Sequence, residues 1–208
     1  MSATVAAGGP VFEGDTAGIT PGPPLDRRLA PLLDSNEHPA PSRATALTVE
    51  PFDAATLVKY NAAWHSRLPH VQRGPWRLAF ASHYRHTVFA VAFWHNPSAR
   101  GLPQDWLELR RMAVAPDAPH CTASHMLGQM RRQIRVLLPE VVRLISYQDQ
   151  DVHTGTIYRA AGWTPAWITK SRVRDRSGNR RGTRRAYRSD ANGQAPASSA
   201  KTRWEIDA

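Results

Sequence analysis

The chain has 208 residues, a formal net charge of +10, 17 prolines, 13 glycines and one cysteine. That length fits one domain or a little more, and a lone cysteine excludes an internal disulfide and a cysteine-rich metal site. No apolar run is long enough to span a bilayer, and no basic, apolar leader precedes the first cation, Arg27, so a cytoplasmic protein without a signal peptide is expected.

Composition divides the chain into three. Residues 1–45 hold 7 of the prolines and 5 of the glycines with a net charge of −2, and are expected to be a disordered Pro/Gly-rich segment. Residues 46–170 carry a net +6 and the sustained apolar periodicity, enough for one sizeable core. Residues 171–208 carry another +6, nearly lack Ile, Leu, Val and Phe, and are expected to be a basic, Arg-rich tail. Only Lys59, Lys170 and Lys201 are lysines, and the arginine fork suits phosphate oxygens better than an ammonium does.

In chain order, Asp53 is a suitable N-cap for a helix over 54–64 with Leu57, Val58 and Tyr60 at apolar positions. Residues 76–81 and 87–94 read as strands, separated by the polar His83, Tyr84, Arg85 and His86. The second is apolar on both faces, as a central strand is. A loop with Pro97, Gly101 and Pro103 precedes a strand over 106–114, ended by Pro116 and Pro119. A helix over 122–138 follows, with Met126, Leu127, Met130, Ile134, Leu137 and Leu138 on one stripe and His125, Gln129 and three arginines on the other. A buried-type strand over 142–147, a short helix over 155–161 capped by Gly162, and a last strand over 163–169 complete the order. This is an α/β layered domain with a mixed central sheet.

Two stretches carry chemistry. The strand, loop and helix start over 107–128 can seat an anion on free backbone N–H groups, with Arg110 and Arg111 adding charge; it equally suits an ordinary βα connection. Over 146–163, Asp149, Asp151, His153 and Tyr158 can face one crevice at a strand's C-terminal edge. The alternative is that Asp151 caps a helix and Tyr158 packs in the core. Cys121 is either a nucleophile at a helix start or a small semi-buried thiol, and no zinc spacing is present. From Lys170 to Arg188 nine cations meet one acid, Asp175, which suits salt-dependent nucleic-acid contact or a solvated solubility tail.

The element order resembles the GNAT-type acyltransferase fold, where the strand–loop–helix holds the pyrophosphate of acyl-CoA. Its usual glycine-rich loop is replaced here by Ala118-Pro119-His120-Cys121-Thr122-Ala123-Ser124. The run His153-Thr154-Gly155-Thr156-Ile157-Tyr158-Arg159-Ala160-Ala161-Gly162-Trp163 is similar to the signature of the Mom family of phage DNA-modification proteins. So are Glu108-Leu109-Arg110-Arg111-Met112, Trp64-His65-Ser66-Arg67-Leu68-Pro69 and the closing Lys201-Thr202-Arg203-Trp204-Glu205.

The resemblance implies a GNAT-like fold and modification of the N6 amino group of adenine in double-stranded DNA. The adduct would be of carbamoylmethyl type, protecting phage DNA from restriction in the host-cell cytoplasm. Acetyl-CoA or a related acyl donor and iron are the implied cofactors. His65, Asp149 and Tyr158 fall at the implied metal positions, and with Ser66 they are the implied catalytic residues. Arg111, Met112, Val114, Thr122, Ala123 and Ser124 fall beside the implied acyl-CoA. Imidazole, carboxylate and phenolate are a reasonable ligand set for a ferric ion. An adenine amine must leave the duplex to react, and Trp64, Tyr84 and Trp94 are candidates either to stack on it or to fill the core. An N-acetyltransferase acting on a protein or small amine, and a non-catalytic DNA-binding protein, are the rival readings. A homodimer is compatible with the sequence; a membrane partner is not expected.

Overall fold

The structure, a computed structural model, describes residues 25–28, 38–65, 68–69, 75–99, 101–171 and 199–208. Its strands are β1 (Thr48–Pro51), β2 (Leu78–Tyr84), β3 (Thr87–His95), β4 (Trp106–Val114), β5 (Arg143–Asp149), β6 (Thr164–Thr169) and β7 (Lys201–Asp207). They form one mixed sheet in the order β1-β2-β3-β4-β5-β7-β6, in which β4 and β5 run parallel. The helices are α1 (Ala54–Trp64), α2 (Thr122–Leu137) and α3 (Thr156–Ala160).

Local chemistry explains these elements. Asp53 Oδ2 accepts both the amide (2.8 Å) and the hydroxyl (2.9 Å) of Thr56 and so starts α1. β3 is buried along all but its last residue because helices cover both sides of it. Leu57 and Tyr60 of α1 meet Ala79, Ala81, Val91 and Phe93 on one face. Met126, Leu127, Met130 and Ile134 of α2 and Tyr158 of α3 meet Phe80, Ala92, Trp94, Leu109 and Leu144 on the other. At about 25 cal/mol per Å² of apolar surface removed from water, these two clusters are the main source of stability.

The expected fold class, the helices at 54–64 and 122–138 and the strand at 106–114 are all present to within a residue. Three regions differ. The polar stretch around His83 continues β2, because His83 Nε2 meets Glu50 Oε1 on β1 at 2.8 Å. The reversal falls on Arg85 and His86, both left-handed (φ 46° and 66°), as a tight hairpin requires. β1 itself is four residues long and mostly solvent-facing, too short to show a period.

The second difference is at the C-terminus. Residues assigned from composition to a basic tail over 171–208 include β7, which lies between β5 and β6. Its Thr202, Trp204 and Glu205 are buried, and Trp204 Nε1 donates to Gln148 Oε1 at 2.7 Å. The charges of Arg203 and Glu205 conceal the alternation in the sequence, yet they neutralise one another at 2.7 Å. The arginine run at 172–188 lies outside the described residues.

The third is in the N-terminal segment, where disorder was expected over 1–45. Arg27 and Arg28 dock on β3: the Val88 amide donates to Arg27 O at 2.9 Å, and the Arg27 guanidinium sits 4.5 Å from the Phe89 ring centre. It also forms a two-pronged pair with Asp117 at 2.8 and 3.0 Å. Residues 1–24 lie outside the described residues. Among the described residues no helix is long and apolar enough to cross a membrane.

Candidate functional site

The parallel ladder between β4 and β5 runs only from Trp106–Arg143 to Leu109–Ser146, although β4 continues to Val114 and β5 to Asp149. A register shift in β3 at Phe93/Trp94, opposite Leu109 and Arg111, marks the same level. Such bulges re-aim side chains beside functional sites. The outer halves of β4 and β5 therefore bound a wedge in the middle of the sheet, with backbone amides and carbonyls along both sides.

Ser146 and Tyr158 close the inner end of this wedge. Ser146 Oγ lies 3.4 Å from Leu109 O and 2.9 Å from the Tyr158 hydroxyl. Tyr158 is held in place by its ring, stacked on Trp204 (5.3 Å, 11°) and edge-on to Trp163 (5.7 Å, 66°). Burial pushes its hydroxyl above the ordinary tyrosine range, and the Ser146 hydrogen bond opposes this only in part. Tyr158 is thus a neutral phenol. The turn into α3 depends on Gly155 (φ +77°), where a Cβ would stand 2.4 Å from the Trp204 ring and 2.7 Å from Gln148 Oε1.

His65 approaches from the other face of the sheet, at the end of α1. Its amide donates to Asn61 O at 2.9 Å, and its Nδ1 accepts the Leu68 amide at 3.2 Å. Asn61, fully buried, donates from Nδ2 to Leu68 O (3.1 Å) and Pro69 O (2.9 Å), which fixes the segment that fixes His65. Burial, and next the charges of Arg111 and His153, push the His65 pKa down to about 4. His65 is neutral at ordinary pH, with its one ring hydrogen on Nε2. Arg111 donates to Arg110 O at 2.7 Å, and the His153 amide donates to Asp149 O at 3.1 Å. The charges of Arg111 on β4 and of His153 after β5 thus both act on His65.

The start of α2 provides the third part. A cavity of about 580 Å³ lies between residues 42–45, the end of α3 at Ala160, and His120, Cys121, Ser124 and His125. The first turn of any helix leaves backbone N–H groups without intrahelical acceptors, and the dipole favours an anion there. Arg43 stands opposite. Cys121, in a left-handed conformation (φ 68°), brings Sγ to 2.9 Å from His120 Nδ1. Small side chains at Ala123 and Ser124 leave access to this helix end without the usual glycines.

The expected site residues are distributed as follows. Arg111, Met112 and Val114 lie on the part of β4 beyond the ladder, and Ser124 borders the cavity. The Thr122 hydroxyl is engaged with Pro119 O at 2.7 Å, so that residue shapes the loop rather than facing outward. These residues, the wedge and the helix start together offer an extended backbone surface with an anion-favouring end. Ser66 lies outside the described residues.

The three expected metal ligands do not fit a ferric centre as they stand. A metal-bound histidine presents a bare nitrogen and donates from the other, whereas His65 Nδ1 is already an acceptor and Nε2 carries the hydrogen. Tyr158 is a buried phenol bound to Ser146 on the α2/α3 side, and Asp149 Oδ1 accepts the Asp151 amide at 3.1 Å. Among the described residues no three His, Cys, Asp or Glu side chains assemble into a metal site.

Of the candidate stacking rings, Trp94 is fully buried with Nε1 donating to Met130 Sδ at 3.2 Å, and Trp64 packs 5.2 Å from Tyr60. Tyr84 lies under Arg85. Sequence reasoning passed over Asn61, Ser146 and Trp167. The signal for Asn61 was a polar residue next to Tyr60 on the apolar side of α1; nothing in the sequence marks Ser146 as the end of a ladder.

A sequence profile described as the Mom protein family matches residues 82–206. No match is found among curated proteins. Among solved structures, a Bacillus subtilis acetyltransferase in complex with CoA superposes with a TM-score of 0.53 at 11% identity, covering 78% of this chain and 99% of its own. A Staphylococcus aureus N-acetyltransferase gives 0.52 at 13% identity, over 77% and 98%. A ribosomal-protein-alanine N-acetyltransferase from Brucella melitensis gives 0.51 at 13% identity, over 78% and 100%. At these identities the likeness establishes an acetyltransferase-type fold.

Proposed function

The chain belongs to the Mom protein family, and on that premise we propose that it modifies the N6 amino group of adenine in double-stranded DNA, giving a carbamoylmethyl-type adduct that protects phage DNA from restriction, with acyl-CoA as its bound cofactor. The observation that carries this reading is the wedge that opens past Leu109–Ser146 with the Tyr158 hydroxyl at its closed end. Bound acyl-CoA would bring a thioester to the site, and the start of α2 with Arg43 would hold its phosphates.

The protein's own residues then have distinct tasks. Tyr158, kept as a phenol by burial, is a proton donor at the closed end of the wedge. Ser146 orients that hydroxyl. The adenine amine is a poor nucleophile because its lone pair is delocalised into the ring, so it needs an acceptor; the Asp149 carboxylate stands at the end of β5 to take its hydrogen. His65, neutral, offers Nε2–H as a fixed donor suited to a base edge, with the Arg111 charge acting on it. The base must be flipped into the site, and the basic composition of the chain draws the duplex to it.

Nucleoside mass spectrometry of DNA from cells producing the protein tests this. A modified deoxyadenosine is expected, and its mass separates a carbamoylmethyl from an acetyl adduct. Deoxyadenosine that stays unmodified overturns the reading.

A further inference from the structure

On the face of the sheet that carries α1, the helix reaches β2, β3 and β4. Beyond it, the register sets Tyr147, Arg203 and Trp167 side by side across β5, β7 and β6. Trp204 and Gln148, their neighbours along the strands, point to the buried core instead. Tyr147 follows Ser146 directly, so this row lies level with the closed end of the wedge. Arg203 pairs with Tyr147 in the register and forms an ion pair with Glu205 at 2.7 Å. Beside it Trp167, on the edge strand β6, is 61% exposed.

An exposed indole on an edge strand offers a flat π-face for stacking. Lysines stand near Trp167 at one end of β6 and β7. Thr169 of β6 pairs with Lys201 of β7, and Lys170 is exposed. Residues 172–198, which join the two strands in the sequence, contain eight arginines against two aspartates. A second copy of this chain, itself at +10, would meet like charge at such a surface. A polyanion whose subunits have flat π-faces meets both features, since bases stack on aromatic rings while cations follow the backbone.

We propose that Trp167 is the stacking platform for an unstacked base of the DNA substrate, with Arg203 and Tyr147 forming its inner border. This rests on duplex DNA being the partner. It names a ring on the half of the sheet that α1 does not reach, rather than Trp64, Tyr84 or Trp94, as the one that receives the base.

The test measures fluorescence anisotropy with two short dye-labelled duplexes, one bearing a single unpaired adenine and one fully paired. Trp167→Ala is expected to lower affinity for the unpaired-adenine duplex by about tenfold, the size of one lost stacking contact, and to leave the paired duplex nearly unchanged. Trp167→Phe retains most of the affinity. Ile168→Ala, equally exposed at 61% but on the opposite face of β6, loses none. Unaltered thermal unfolding of all three variants establishes that they fold.

Wild-type affinity in Trp167→Ala overturns the platform. So does an equal loss from Ile168→Ala, and a two-chain mass in sedimentation would then identify a second copy as the occupant. The adenine adduct made by the wild-type protein is scored separately. An adduct with an ineffective Trp167→Ala defeats the platform and keeps the function, whereas a missing adduct defeats the function itself.

Discussion

The Tyr158 hydroxyl meets Ser146 Oγ at 2.9 Å, and Ser146 is the last residue of β5 that pairs with β4. Tyr158→Phe keeps the ring stacked on Trp204 and removes only this hydroxyl. Urea unfolding should show a loss of about 1 kcal/mol, that of one hydrogen bond. If Tyr158 is the proton donor, the modification rate falls at least about a hundredfold. A rate unchanged in the variant would reduce Tyr158 to a structural contact.

His65 should stay neutral far below the usual histidine range. Its pKa is pushed down to about 4 in the folded chain from 6.5. Between these values the unfolded chain binds more protons, so stability is level above about 6.5 and falls as the pH drops towards 4. A ring-proton NMR titration should give a midpoint near 4 for this residue, and His65→Gln should flatten that part of the pH–stability curve. A midpoint near 6.5 would contradict the buried, cation-flanked placement.

Two glycines should respond in opposite ways. Gly155→Ala forces a Cβ to 2.4 Å from the Trp204 ring at a φ of +77°. About 2–4 kcal/mol of stability should be lost through overpacking and left-handed strain. Gly128, within α2, has nothing within 4 Å of a built Cβ, so Gly128→Ala should gain about 0.5–1 kcal/mol. Denaturant melts of the pair decide whether the Trp204–Gln148 lock is as tight as described.

Cys121 reports on the cofactor. It is an exposed thiol beside the first turn of α2 and the only cysteine of the chain. A thiol reagent should therefore label one site in the native protein, and saturating acetyl-CoA should slow that labelling severalfold. Equal rates with and without acetyl-CoA would place the phosphates away from this helix start.

The sequence revealed the elements that bury a regular stripe, such as α2 with Met126, Met130 and Ile134, and the central strand β3. It concealed β7, whose buried Trp204 is flanked by Arg203 and Glu205, charges that cancel once the extended strand sets them side by side on one face. For that reason the arginine run is better probed by replacing individual arginines than by removing residues 171–208, which would take β7 out of the sheet. The site was legible as residue types near Asp149 and Tyr158. That Tyr158 and His65 approach from opposite faces of the sheet depends on long-range pairing that no local pattern encodes. The tautomer of His65 likewise follows from one Leu68 amide, and it turns a residue expected to bind metal into a hydrogen-bond donor.

The most direct test of the account compares nucleosides from DNA exposed to the wild-type protein and to Tyr158→Phe. The account predicts a deoxyadenosine adduct with the wild-type protein, carrying the mass of a carbamoylmethyl group, and at most a trace with the variant. Unmodified deoxyadenosine in both samples would contradict it.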